Sequence, residues 1–269
     1  MSSVKEPIQK YYMSSKGYYS RLEKGSFKRL FQKYYNFLRG DEEEKGLILD
    51  VGCGVGQITS NLGKEGIEAV GADVSPIGVG TAHKNRNRDS QVHFVVASGY
   101  NLPFRERIFQ TAGCLNVLEH MQQPEKCIRE MVRVSSENLV VACPNLLCPI
   151  YGRNVREKLS KFKRLGSNLF GKGDRNEFQH VEPIMGESDE TIGRDLDATT
   201  ITTPWNVRHL LEVNGIEITH FSSYIGPNKI IDDLSKLPFF RRLGGGVFLK
   251  GRKKRAGNDG KITFDLQHE

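Results

Sequence analysis

Two acidic residues and a set of closely spaced glycines are the residues of this sequence best suited to hold a small ligand. The segment LILDVGCGVGQ (47–57) has an apolar run that ends in Asp50, followed at alternate positions by Gly52, Gly54 and Gly56. Glycines let the backbone adopt positive φ angles and let a ligand approach the main chain closely. A helix that begins after such a turn points its free N–H groups at the same place. The segment therefore predicts a strand, a tight turn and a helix around a nucleoside-bearing ligand.

A second acid, Asp73, ends the next apolar segment, 17 residues after Gly56. A carboxylate at the end of a neighbouring strand can accept hydrogen bonds from both hydroxyls of a ribose, so the ligand needs no phosphate. The spacing differs from the dinucleotide fingerprint G-x-G-x-x-G, because the third glycine comes one position too early. The alternative interpretation is a structural turn in which the acid only caps a helix.

The two acids belong to a regular alternation of apolar runs and helical patterns. The predicted strands are 47–51, 67–74, 92–96, 108–116, 138–143, 216–224 and 245–252. The predicted helices are 56–64, 76–88, 124–134 and 203–215, with one or two amphipathic helices in 17–38. Strands that alternate with helices through short turns predict a parallel sheet covered by helices on both faces.

Five segments, taken in chain order, resemble the class I S-adenosylmethionine-dependent methyltransferases, in their small-molecule branch. The segments are LDVGCGVGQ (49–57), GADVS (71–75), VVASGYNLPF (95–104), CLNVLEHM (114–121) and LVVACPN (139–145). The resemblance implies an α/β fold of three layers, αβα and Rossmann-like. Its mostly parallel seven-stranded sheet would have the order 3-2-1-4-5-7-6, with strand 7 antiparallel. It also implies S-adenosyl-L-methionine as cofactor and S-adenosyl-L-homocysteine as product.

The resemblance also implies a set of cofactor-binding residues. Beside the methionine part it places Asp50, Gly52, Cys53 and Gly54, and it places Asn116 at the end of the fourth strand, facing the same part. Gly56 would support the close turn, and Gln57 belongs to the same cofactor-binding set. Around the ribose and adenine it places residues that follow the second and third strands: Asp73, Val74, Ser75, Ser98 and Gly99. In this set Asp73 would hold the ribose hydroxyls. Ser98 stands where many members carry an Asp that binds the adenine amino group, and its hydroxyl would accept that bond more weakly.

Glu119 and His120 match an acid–histidine pair that the family carries after the fourth strand. Histidine has an ordinary pKa of about 6.5, so His120 can act as a general base near the transferred methyl group, with Glu119 beside it. The alternative is that the pair only braces the chain and shapes the cofactor pocket. Many related enzymes rely on alignment of a highly reactive sulfonium donor, so a base is not required in every case.

Charge is distributed unevenly along the 269 residues, whose formal net charge is +7. Residues 1–40 carry nine basic and two acidic side chains, and residues 241–255 carry seven basic and no acidic ones, whereas 41–150 is mildly acidic. Basic appendages suit an anionic substrate, peripheral contact with an anionic membrane, or nucleic acid. Nucleic acid is less favoured, because Asn116-Val117-Leu118 replaces the Asn/Asp-Pro-Pro-aromatic turn of the amine-methylating branch.

The pattern divides the chain into five parts. We predict an N-terminal helical cap (1–45), a cofactor-binding core (46–145), an insertion or lid (146–203), the C-terminal part of the same fold (204–252) and a polar tail (253–269). The cysteines are odd in number, five, and lack metal-ligand spacing, which predicts reduced thiols and no metal site. The chain has neither a signal peptide nor an apolar run of about 18 residues, so we expect a cytoplasmic protein.

These observations predict an enzyme that moves a methyl group from S-adenosylmethionine to an oxygen, carbon or nitrogen of a small-molecule or lipid-like acceptor, which can be anionic. A first alternative is an RNA or protein methyltransferase that uses the basic appendages to hold its substrate. A second alternative is a non-catalytic cofactor-binding scaffold, although the intact set of acids and glycines argues against it. The acceptor and the oligomeric state stay open.

Overall fold

Seven strands of the computed structural model form one mixed sheet. The structure describes residues 28–41, 46–87, 90–145, 177–180, 200–224 and 245–254. The strands are β1 (Ile48–Val51), β2 (Ala69–Asp73), β3 (Val92–Val96), β4 (Phe109–Leu115), β5 (Ser135–Pro144), β6 (Ile216–Tyr224) and β7 (Gly246–Lys253). Their order is β3-β2-β1-β4-β5-β7-β6, and β7 runs antiparallel to both neighbours. This confirms the predicted sheet.

Within the described ranges, five α-helices accompany the sheet, and the sequence marks where several of them begin. They are α1 (Lys28–Arg39), α2 (Gln57–Lys64), α3 (Pro76–Asn85), α4 (Pro124–Val134) and α5 (Pro204–Val213). The Ser75 hydroxyl caps α3, and Thr203 forms a capping box with Asn206 at the start of α5. Among the described residues, no helix is long and apolar enough to cross a bilayer.

Apolar side chains on opposite faces of the sheet form two separate cores. In β5, Leu139 and Val141 belong to the core shared with α4 and α5, whereas Val140 and Ala142 belong to the core shared with α1, α2 and α3. This alternation follows from the two-residue period of a strand whose two faces are both covered. The fold is therefore a three-layer αβα sandwich, as expected.

The helix α1 packs on the face of the sheet, against β4 and β5. It approaches closely because Gly113 of β4 has no side chain: a Cβ there would lie 2.5 Å from Cδ1 of Leu38 and 2.7 Å from the hydroxyl of Tyr34. Both of these α1 side chains are fully buried. The remainder of the predicted cap, residues 1–27 and 42–45, lies outside the described residues.

Two local features differ from the sequence-based expectation. The strand β5 begins at Ser135, three residues early, because the pairing shifts register between Phe109 and Thr111 and leaves an extra residue in β5. Within the predicted insertion, Gln179–His180 pairs antiparallel with Thr200–Ile201. The rest of the insertion, 146–176 and 181–199, lies outside the described residues, so the predicted domain boundaries stay predictions.

A charged clamp holds the turn that follows β3. The guanidinium of Arg133 donates to the carbonyls of Leu102 and Phe104, at 2.9 and 2.7 Å, and to the carboxylate of Glu130 at 2.7 Å. The same carboxylate accepts the N–H of Leu102 at 2.7 Å. The guanidinium lowers the pKa of Glu130 through this hydrogen bond. The clamp fixes the loop between β3 and β4 to α4.

We expect Arg133→Met to lower the free energy of unfolding by about 2 kcal/mol, because it leaves two carbonyls and a carboxylate of a partly buried network without their donor. Arg208→Met is the matched control: Arg208 also pairs with an acid on its own helix, but its side chain is 56% exposed. That change should cost no more than about 0.5 kcal/mol. Urea unfolding of both variants tests this, and equal losses would show that the clamp contributes nothing beyond a surface pair.

Candidate functional site

The turn after β1 has backbone geometry that glycine tolerates best. Gly52, Gly54 and Gly56 have φ angles of +75°, +55° and +75°. The N–H of Gly52 donates to the carbonyl of Ala72 in β2 at 2.7 Å. A Cβ on Gly52 would lie 2.2 Å from Cγ2 of Val117, so the turn packs tightly on the segment that follows β4. The ends of β1, β2 and β4 therefore meet at this turn.

The carboxylate of Asp73 joins this turn to the end of β2. Its Oδ2 accepts the N–H of Gly54 and its Oδ1 accepts the N–H of Ser75, both at 2.8 Å. Burial raises the pKa of Asp73 above its ordinary value, although the two N–H donors oppose the rise. Each carboxylate oxygen can accept more than one hydrogen bond. Asp73 is thus oriented with acceptor capacity for two further donors, such as the hydroxyls of a ribose.

The start of α2 supplies hydrogen-bond donors, whereas Asp73 supplies acceptors. Gly56 is the N-cap residue and has no side chain to bond the N–H groups of the first helical turn. Such N–H groups, together with the helix dipole, favour an anion such as a carboxylate. A carboxylate acceptor at Asp73 and N–H donors at α2, joined by one glycine turn, fit a ligand with a ribose and a carboxylate. S-adenosylmethionine has both groups.

Asp50 lies at the end of β1, where hydroxyls from two helices hold its carboxylate. Oδ1 accepts from Tyr34 of α1 at 3.0 Å and Oδ2 accepts from Thr59 of α2 at 2.9 Å. The side chain is buried, which raises its pKa to about 6, and the two hydroxyl donors oppose the rise. The carboxylate therefore ties both helices to the base of the glycine turn. Its predicted place beside the methionine part stays a prediction.

The loop after β3 lies next to Asp73, as the predicted adenine side requires. The N–H of Ala97 donates to the carbonyl of Asp73 at 2.9 Å. The hydroxyl of Ser98 accepts the N–H of Tyr100 at 3.2 Å, which uses part of its capacity as an acceptor. Gly99 packs closely on the segment after β4, because a Cβ there would lie 3.2 Å from Cε of Met121.

The segment after β4 carries the other predicted residues. Asn116 has a φ of +52°, a left-handed conformation that Asn tolerates better than most residues, and its N–H donates to the carbonyl of Ala142 at 2.8 Å. A short 3₁₀ helix, Leu118–His120, follows. The side chain of Glu119 is fully buried, and its Oε1 lies 3.7 Å from Nε2 of His120, whose side chain is 16% exposed.

The structure brings most of the predicted residues to one edge of the sheet. The glycine turn is joined to the end of β2 by hydrogen bonds to the carbonyl of Ala72 and to the carboxylate of Asp73. Asp73 in turn accepts the N–H of Ala97 at its carbonyl, and Asn116 lies nearby at the end of β4. Gln57 is the first residue of α2 and Val74 follows β2, each half-buried. The thiol of Cys53 packs beneath the turn, where burial raises its pKa well above the usual range. Glu119 and His120 lie one short helix farther along, and their catalytic assignment stays a prediction.

Sequence reasoning missed three side chains that shape this edge. Tyr34 and Thr59 hold Asp50, and the hydroxyl of Tyr100 accepts the N–H groups of Gln122 and Gln123, at 3.0 and 3.4 Å. The helical pattern around Tyr34 indicated packing only, and no local signal marks the other two. Their partners lie 9 to 23 residues away along the chain.

Part of the chain matches a known protein family and named relatives. Residues 49–142 match the family described as a methyltransferase domain. The chain is 37% identical over 93 residues to norajmaline N-methyltransferase of Rauvolfia serpentina, which covers 33% of this chain and 32% of that protein. It is 33% identical over 102 residues to tocopherol O-methyltransferase of Arabidopsis thaliana, which covers 36% and 29%. The matches thus span about a third of these relatives.

A solved structure supports the fold over most of the chain. The magnesium protoporphyrin IX methyltransferase of Synechocystis PCC 6803, crystallised with bound SAH, aligns with a TM-score of 0.58 and 19% identity. The alignment covers 93% of this chain and 100% of that one. At this identity the similarity concerns the fold.

The raised pKa of Asp50 predicts a pH dependence of stability. The folded carboxyl has a pKa of about 6, whereas a carboxyl in an unfolded chain has one of about 4, so the folded state holds the proton more tightly. The stabilising contribution is therefore fully present below about pH 4 and is lost as the pH rises through about 6. Relative to Asp50→Asn, which cannot ionise, the wild type should lose about 2 to 3 kcal/mol of unfolding free energy over this interval.

Urea unfolding across this pH interval measures the difference. Glu212→Gln is the control, because Glu212 is an exposed helical acid and its variant should follow the wild-type curve. If the free energy of unfolding varied with pH in the same way for the wild type and Asp50→Asn, the raised pKa of Asp50 would be contradicted.

Proposed function

We propose, from the premise that this chain belongs to the class I S-adenosylmethionine-dependent methyltransferases, that it transfers a methyl group from S-adenosylmethionine to a small-molecule acceptor. The observation that carries the proposal is the Asp73 carboxylate, which accepts a hydrogen bond from the N–H of Gly54 at 2.8 Å. The same glycine turn leads into α2, whose N-cap residue Gly56 has no side chain to cap the helix. Relatives named for small-molecule N- and O-methylation support the substrate class.

Each part of this edge has a role in the proposal. When bound, S-adenosylmethionine supplies an electrophilic methyl group on a sulfonium. Asp73 accepts from the ribose hydroxyls, and the first turn of α2 binds the methionine carboxylate. Asn116 and the segment after it border the methyl group. The protein contributes alignment of donor and acceptor and a site from which water is excluded.

The acceptor, in this proposal, lies beside the segment after β4. The ladder formed by Gln179–His180 and Thr200–Ile201 borders the same place, because the hydroxyl of Thr200 donates to the carbonyl of Met121. We propose a small-molecule or lipid-like acceptor that is methylated on oxygen or nitrogen. The names of the relatives, norajmaline N-methyltransferase and tocopherol O-methyltransferase, support such a compound. Cytoplasmic location and an anionic acceptor remain expectations from the sequence.

Removal of the Asp73 carboxylate should weaken cofactor binding. In Asp73→Ala two charge-assisted hydrogen bonds to the ribose are lost, so we expect the Kd for S-adenosylmethionine to rise by about 100-fold. Calorimetric titration measures this, with Glu212→Ala as a control of unchanged affinity. Circular dichroism establishes that both variants fold. Equal affinity of folded Asp73→Ala and wild type would overturn the ribose assignment.

The acceptor can be found with methyl-labelled S-adenosylmethionine. The protein is incubated with metabolite and lipid extracts, and the labelled product is identified by mass spectrometry. A labelled small molecule supports the proposal. Binding of the cofactor without any labelled product would favour a non-catalytic cofactor-binding scaffold. Label in RNA or protein would favour an RNA or protein methyltransferase.

The response to salt tests whether the basic appendages serve an anionic acceptor. Charges near a protein surface are screened over about 8 Å at physiological ionic strength. For an anionic acceptor we expect KM to rise steeply between about 50 and 300 mM salt, with little change in the Kd for S-adenosylmethionine. A flat KM would show that the basic blocks do not contribute to acceptor binding.

A further inference from the structure

A short ladder outside the predicted core holds a histidine in a defined place. His180 pairs with Thr200 across the ladder. The Thr200 strand is anchored on the sheet and on α5. Thr202 donates to the carbonyl of Pro144 in β5 at 2.6 Å, and the amide of Asn206 in α5 donates to the carbonyl of Ile201 at 2.8 Å. Thr200 is fully buried, whereas His180 is exposed.

Hydrogen-bond chemistry fixes the tautomer of His180. The hydroxyl of Thr200 has one proton, and it donates this proton to the carbonyl of Met121, which can only accept. Nδ1 of His180 lies 3.1 Å from the same hydroxyl oxygen. Because that proton is already used, Nδ1 of His180 must carry the hydrogen of this second bond. The neutral ring then has its lone pair on Nε2, where it can accept a proton.

The hydrogen-bonded series His180–Thr200–Met121 ends beside the proposed methyl-transfer site. Met121 directly follows the 3₁₀ helix Leu118–His120, and the N–H of Met121 donates to the carbonyl of Leu118 at 3.1 Å. The same helix begins next to Val117, which packs on Gly52 of the cofactor turn. His180 is therefore linked through Thr200 to the segment after β4, which also contacts the cofactor turn through Val117 and which borders the acceptor in the proposed function.

We propose that Nε2 of His180 accepts the proton of the methyl acceptor and that Thr200 is its positioning residue; this rests on the proposed function. The O–H or N–H bond of the acceptor breaks, its proton moves to Nε2, and its electron pair forms the new bond to the methyl carbon. The methyl–sulfur bond breaks with its electron pair retained by sulfur, which becomes a neutral thioether. The imidazolium then releases the proton to water. The substrate class is thus an acceptor that must lose a proton, a phenol, alcohol or protonated amine.

Substitution of His180 by Asn or by Gln distinguishes the roles of its two ring nitrogens. In His180→Asn the amide reaches the position of Nδ1 and can still donate to Thr200, but the group at Nε2 is lost. In His180→Gln a polar group reaches the position of Nε2, but the donor to Thr200 is lost. If His180 had only a structural role, His180→Asn would preserve it. If Nε2 accepts the proton, His180→Asn abolishes that function.

Nitrogen NMR of protein labelled in its histidines tests the geometry without any acceptor. We expect the neutral ring of His180 to carry its proton on Nδ1, to revert to Nε2–H in Thr200→Val, and to shift when S-adenosylhomocysteine is added. Signals are assigned by their loss in His180→Asn. A wild-type ring protonated on Nε2, or a ring that does not respond to S-adenosylhomocysteine that calorimetry shows to be bound, would overturn the proposal.

Single-turnover transfer to the extract fraction that becomes labelled tests the chemistry. We expect His180→Asn to slow the step by about 100-fold or more, with the Kd for S-adenosylmethionine unchanged. An unchanged rate in His180→Asn would overturn the proposal. If no fraction is labelled, the proposed function fails, and the NMR result still decides whether Thr200 orients His180.

Discussion

The hydrogen bond between the Gly54 N–H and the Asp73 carboxylate is the constraint on which this edge of the molecule depends. A buried carboxylate needs donors, because burial without them is costly. Here the two donors are backbone N–H groups, from the turn after β1 and from Ser75 before α3. To present its N–H, the turn must adopt left-handed angles, which is why glycines stand at 52, 54 and 56. The position of the Asp73 carboxylate is thus fixed by backbone groups of the protein itself.

The two buried acids at the ends of β1 and β2 have different tasks, set by their donors. Asp73 receives N–H groups and retains acceptor capacity at the sheet edge. Asp50 receives the hydroxyls of Tyr34 and Thr59, which belong to α1 and α2. It therefore attaches the helical layer to the glycine turn. The absence of a side chain at Gly113 lets Tyr34 come near enough to donate.

The strand–turn–helix units could be predicted because each is a local pattern, an apolar run followed by glycine or a helical cap. The sheet order was predicted from the resemblance to the class I methyltransferases, because no local pattern fixes which strands are neighbours. The early start of β5 could not be predicted, because a register shift depends on how Phe109 and Ser135 pair across strands. The donors to Asp50 and the Thr200–Met121 bond join residues 9 to 79 positions apart. Histidines with no regular spacing gave no reason to single out His180, whose place depends on a strand pair inside the predicted insertion.

The segment Met121–Gln123 connects the two halves of the proposed reaction. From the side of the predicted adenine loop, the hydroxyl of Tyr100 accepts the N–H groups of Gln122 and Gln123, and Gly99 packs on Met121. From the other side, Thr200 donates to the carbonyl of Met121 and accepts from His180. A ligand that orders the loop 98–101 would therefore also restrict Met121, and through Thr200 it would restrict His180. In the proposed reaction, cofactor binding and the orientation of His180 would thus be coupled through one short piece of backbone.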